Sequence, residues 1–255
     1  MPTSRLIPLG ASNVARGCLA LTDAARAAAG GPVEVHAALG RGRSFGIDSR
    51  LLIRQLGGIE ASPIWAHLDA APALPTNALV MDVGNDLFYG VEVPQILAWV
   101  DVALQRLTAH AARVTLVGIP LASLRRLSPA LFAVFRHVLV PSCRLSLRDG
   151  LVQAEQLHHG LQQLAERHGA TFVTPQDDWY GLDPIHIRRR HWDAAARTLL
   201  GVPADTDAGA PPLDRWSRRL SFFFAAPAQR RWPFWTQRHS QPARTFPDGS
   251  TISLW

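Results

Sequence analysis

Apolar runs of strand length alternate with longer segments of helical period over the first 200 residues. RLIPLG (5–10) opens the series and a helical stretch from about Val14 to Ala29 follows. PVEVHAAL (32–39) is the second strand, and DSRLLIRQL (48–56) takes the next helical place. NALVMDVG (77–84) is the clearest buried strand, a short apolar run stopped by glycine. A helix from Pro94 to Ala111 comes next, with proline in its first turn. RVTLVGIP (113–120) is a fourth strand; helices over about Pro129–Leu139 and Gly150–His168 follow it. GATFVTP (169–175) is a fifth, and residues 188–200 close the series as a helix.

This alternation predicts an α/β fold: parallel strands joined by right-handed helical crossovers, helices on both faces. Ligands in such folds bind beyond the carboxyl ends of the strands. Polar residues placed just after strand ends therefore carry the most information.

Three such clusters stand out. Ser12 follows the first strand in LGASNV. Asn85 and Asp86 follow the third in VGNDLFYG. Asp183 and His186 follow the fifth in WYGLDPIHI. A serine nucleophile needs a histidine to take its proton, and that histidine needs a partner to fix its tautomer. Asp183 and His186, three residues apart, suit that pairing. The oxyanion of acyl transfer needs donors already in place. The Asn85 amide, the Ser12 N–H and a glycine N–H from ALGRGRSFG (Gly40 or Gly42) are the candidates.

The order and spacing of GASN (10–13), GRGRS (40–44), GND (84–86) and DPIH (183–186) resemble the SGNH hydrolase superfamily, the GDSL-type esterases and lipases. The resemblance spans about residues 5–200. It implies a flavodoxin-like three-layer α/β/α sandwich with a central parallel sheet of about five strands, and hydrolysis or transfer of carboxylic esters and thioesters without metal or cofactor. Carried over by position, Ser12 is the nucleophile, His186 the base and Asp183 its orienting group. Ser12, Asn85 and Gly42, with Gly40 as the alternative, line the oxyanion hole. Arg41, Arg43, Tyr89 and Trp179 are candidate substrate contacts, with Phe88 and Tyr180 as further walls of an acyl pocket. Two departures stand out: Ala11 replaces the usual aspartate before the nucleophile, and Ile187 replaces the usual proline after the histidine.

Composition then narrows the picture. Of 255 residues, 47% are hydrophobic and 18% charged, which is ordinary globular usage. All basic residues are arginine; the formal net charge is +6. No zinc-finger or RNA-binding motif accompanies them, so nucleic acid is not an expected partner. No apolar run reaches the length of a membrane span and no signal peptide is evident, so the cytoplasm is the expected compartment. Cys18 and Cys143 read as free thiols.

Composition changes near Gly201. We expect residues 1–204 to form the hydrolase-like domain and 205–255 an Arg/Trp/Pro-rich extension serving as lid or interface. Its Trp232 and Trp235 are the expected anchors. The extension leaves peripheral membrane contact and a homo-oligomer open. For the function itself, three readings stand: a serine ester hydrolase, an O-acyltransferase acting on a sugar or lipid alcohol, and a catalytically impaired binding or scaffold protein.

Overall fold

The computed structural model describes residues 1–51, 54–110, 113–139, 143–206, 222, 225–231 and 235–255. In chain order its elements are β1 (Ser4–Leu9), α1 (Ser12–Ala29), β2 (Val33–Ala37), β3 (Ser49–Leu51), β4 (Arg54–Leu56), α2 (Ile64–Ala70), β5 (Thr76–Val80), α3 (Asn85–Phe88), α4 (Val93–Ala109), β6 (Arg113–Val117), α5 (Leu121–Leu124), α6 (Pro129–Leu139), α7 (Leu147–His168), β7 (Thr171–Val173), α8 (Trp192–Leu200), β8 (Gln229–Arg231), β9 (Thr236–Arg238), β10 (Arg244–Thr245) and β11 (Thr251–Leu254).

Seven strands form the main sheet in the order β10-β11-β2-β1-β5-β6-β7; all neighbouring pairs are parallel except β10 with β11. The five expected strands are β2, β1, β5, β6 and β7. Their order reverses direction at β1, and the gap beyond the ends of β1 and β5 is the ligand crevice of such sheets. One apolar cluster joins α1 and α8 to one face of the sheet, and a second joins α2, α4 and α7 to the other. Gly10 is required where β1 turns into α1. A Cβ there would stand 2.7 Å from the Met81 carbonyl oxygen and 2.6 Å from Val14 Cγ2.

Two expectations change. DSRLLIRQL contains the short strands β3 and β4 in place of a helix; they join β8 and β9 in a separate four-stranded sheet. Its apolar run, Leu51 to Ile53, is too short to hold the helical place, and periodicity does not separate strand from helix over such a run. The C-terminal extension also adds to the main sheet. β11 pairs along β2, and the turn before it is held by the Asp248 carboxylate, 2.7 Å from the Nε of buried Arg26 on α1. Trp235 is 57% exposed; Trp216 and Trp232 lie outside the described residues. Trp255 packs instead, its ring 4.4 Å from that of His67. Among the described residues no helix is long and apolar enough to cross a membrane.

Candidate active site

Ser12 is the first residue of α1. An α-helix leaves its first backbone N–H groups without partners inside the helix, and a carboxylate there is favoured by both hydrogen bonding and the helix dipole. No side chain of α1 itself caps this end. Asp82, at the end of β5, does so from across the sheet. Its Oδ2 accepts the N–H groups of Ala11 (2.9 Å), Asn13 (2.9 Å) and Val14 (3.3 Å). To reach them Asp82 adopts φ +65°, a left-handed conformation that a non-glycine residue rarely holds. Asp82 passes over the Ser12 N–H, which no acceptor among the described residues takes.

The histidine loop is fastened to the same corner. Asn13 is buried; its Nδ2 donates to Asp82 Oδ1 (2.7 Å) and to the Ile185 carbonyl (2.8 Å), and its Oδ1 accepts the Ile187 N–H (2.9 Å). Asn13 thus holds the residues on both sides of His186. His186 Nε2 lies 2.8 Å from Ser12 Oγ, and His186 Nδ1 lies 2.7 Å from Asp183 Oδ2. Beside a carboxylate, Nδ1 carries the proton, which leaves the Nε2 lone pair facing the serine hydroxyl. Asp183 also accepts the N–H groups of Ile185 and His186. Burial pushes its pKa up, but the His186 hydrogen bond and charge, the backbone donors and Arg16 outweigh burial and hold it below the ordinary value.

Asn85 opens α3 and faces the same cleft as Ser12. Asp86, the next residue, faces inward. Its carboxylate accepts from Ser44 Oγ and from the Phe45 N–H (3.0 Å), which ties the GRGRS loop to the GND block. Burial raises Asp86 to about 6 against the lowering effect of those hydrogen bonds. In the GRGRS loop the Arg43 N–H donates to the Gly40 carbonyl (3.1 Å), and Gly42 takes φ +71° inside that turn. Neither Gly40 nor Gly42 is among the residues lining the cleft, and neither N–H has an acceptor among the described residues.

The four expected substrate contacts fall elsewhere. Arg43 is 4% exposed; its guanidinium donates to the carbonyls of Gly57 (3.0 Å), Leu39 and Trp255. It is a clamp between the GRGRS loop and the end of β11, pairs with neither Asp48 nor Asp86, and burial lowers its pKa to about 10. Trp179 is 2% exposed in the core, because the chain before DPIH must pack there to set the histidine loop. Tyr89 donates its hydroxyl to the Gly42 carbonyl (2.5 Å) and supports the turn from behind. Arg41 is exposed and lies outside the cleft lining. Tyr180, Phe88 and Pro120 do line it. Asp82 and Asn13 are the residues that sequence reasoning missed. Asn13 adjoins the nucleophile, but its role depends on a histidine loop 172 residues away.

No protein-family model matches this chain, and no curated protein matches it. Solved structures do. Est24, a carbohydrate acetylesterase from Sinorhizobium meliloti, is 14% identical with a TM-score of 0.54, the match covering 77% of this chain and 97% of that one. The native aryl esterase of M. smegmatis is 16% identical with a TM-score of 0.52, over 77% and 100% of the two chains. A carbohydrate acetylesterase family member from S. meliloti is 14% identical with a TM-score of 0.51, over 78% and 100%. At such identities the likeness is one of fold: the central, mostly parallel sheet between helical layers is the SGNH hydrolase fold.

Proposed function

We propose that this protein is a metal-independent serine hydrolase that cleaves carboxylic esters or thioesters through an acyl-enzyme on Ser12. The observation that carries the reading is the continuous chain Asp183–His186–Ser12, with contacts of 2.7 and 2.8 Å. Ser12 Oγ attacks the carbonyl carbon while His186 Nε2 takes its proton, and Asp183 holds the imidazolium that results. The oxyanion forms beside the unclaimed Ser12 N–H and the Asn85 amide. His186 then protonates the departing alkoxide or thiolate. A water deprotonated by His186 releases the acyl group and restores Ser12. Among the described residues no group of three or more His, Cys, Asp or Glu side chains could hold a metal ion. The fold shared with proteins described as esterases adds support.

Fluorophosphonate labelling tests the reading. Wild type should label at Ser12, and Ser12→Ala should not. Ser12→Ala and His186→Ala should each lower kcat on an activated ester by roughly 10³-fold or more, with the double variant little worse, because triad members act as a unit. Absence of labelling would return the protein to the binding or scaffold class.

A further inference from the structure

The cleft that holds Ser12 and Asn85 continues as an apolar trough, part of it open to solvent. Its far wall comes from the segment between β6 and β7. One face of α7 supplies Leu147, Gly150, Leu151 and Ala154, at successive helical intervals of three, one and three residues. α5 and the chain after it supply Leu124 and Leu127. Leu124, Leu127, Leu147 and Leu151 are only half-buried, so apolar surface is left wet where a ligand would cover it. Gly150 and Ala154 keep the floor low.

The polar groups of the trough gather at one end, around Ser12, Asn13, Asp82 and Asn85. His186 is not among the residues lining it. His186 Nε2 is the group that must protonate the leaving oxygen, so the alcohol lies on the histidine side and the acyl chain faces the trough. We propose that the trough is an acyl-chain site and that the substrate class is esters or thioesters of unbranched, medium-length fatty acids. This rests on the hydrolase reading above. The α7 face from Leu147 to Ala154 runs for about 10 Å, the reach of an alkyl chain of roughly eight carbons. An acetyl group would leave almost all of this surface wet.

The experiment uses p-nitrophenyl esters from acetyl to dodecanoyl, each below its aggregation concentration, with the full-length protein. Acetate esters of alcohols of the same lengths form a second series. kcat/KM should rise by up to roughly fourfold per added methylene up to about octanoyl and then level or fall, while the second series stays flat. Leu151→Trp and Leu147→Trp, at half-buried positions of the wall, should lower the ratio of octanoyl to acetyl kcat/KM at least tenfold. Ser12-dependent turnover that is best with acetyl, or a gain that follows the alcohol, overturns the acyl site. So does an unchanged octanoyl preference in folded Leu147→Trp and Leu151→Trp. Loss of Ser12 dependence on the acetyl ester would instead defeat the hydrolase reading.

Discussion

Asp82 Oδ1 stands 2.7 Å from Asn13 Nδ2, and that contact joins the support of the nucleophile to the support of the base. Asp82 caps the helix that begins at Ser12; Asn13 brackets His186. Both departures from the SGNH pattern find their counterpart here. Ala11 brings no carboxylate, and Asp82 provides one to the Ala11 N–H. Ile187, unlike proline, has an N–H, and Asn13 accepts it.

Asp82→Asn keeps the shape but removes the charge and one acceptor oxygen. Charge-assisted hydrogen bonds are worth about 1.5–3 kcal/mol each, so we expect a loss of about 2 kcal/mol or more in urea unfolding. kcat should fall at least tenfold with KM little changed, since Ser12 loses its placement and not its contacts with substrate. Ile187→Pro deletes the N–H that Asn13 accepts and should produce a milder version of the same kinetic split. Wild-type stability and kcat in both variants would show that the network does not position the site.

Asn85→Ala removes one proposed oxyanion donor. Such a loss costs on the order of 10²–10³ in kcat. The Asn85 side chain makes no hydrogen bond within the described residues, so the thermal midpoint should barely move. A variant that unfolds early, yet turns over normally per folded molecule, would reassign Asn85 to structure.

Deleting residues 251–255 removes β11 together with the carbonyl of Trp255 that Arg43 grips. Arg43 would then be a buried cation short of an acceptor, and the edge of β2 would be bare. We expect a fall in thermal midpoint of several degrees, a tendency to aggregate, and weakened ester turnover through the GRGRS loop. Unchanged melting and solubility would make β11 dispensable.

Acid should act through His36. It is buried, 3.4 Å from Glu34 Oε1, and its ring packs against His67, with Arg5 and Trp255 close by. Burial above all, helped by His67 and Arg5 and opposed by Glu34, lowers its pKa from 6.5 to about 4. The folded state therefore prefers neutral His36, and the associated stability is complete above pH 6.5 and is lost as pH falls towards 4. Asp86 works the other way, because its raised pKa contributes stability at low pH that is lost as pH rises from 3.8 through about 6. His36→Asn isolates the first effect. Its melting temperature relative to wild type should improve steadily from pH 7 to pH 4.5; a constant difference would remove His36 from the acid response.

The five parallel strands β1, β2, β5, β6 and β7, the long helices between them and the three strand-end clusters were legible in the sequence because each rests on local pattern. A short apolar run ended by glycine is consistent with a buried strand, and parallel strands place their carboxyl ends along one edge. Ser12, Asn85, Asp183 and His186 are brought together by that rule. Other roles depended on contacts between residues remote in sequence. Asp82 reads as one polar residue at a strand end until β1 and β5 lie side by side and its carboxylate meets a helix start 71 residues earlier. Arg43 reads as a candidate substrate contact until β11 brings a carbonyl 212 residues away to receive its buried guanidinium. β11 itself is too short to announce its partner, and only the packing of the chain leaves the leucines of α5 and α7 half-buried in the wall of the cleft. Backbone propensity and hydrophobic period act over a few residues, whereas caps, buried charges and cavities are satisfied only by whatever the topology brings near.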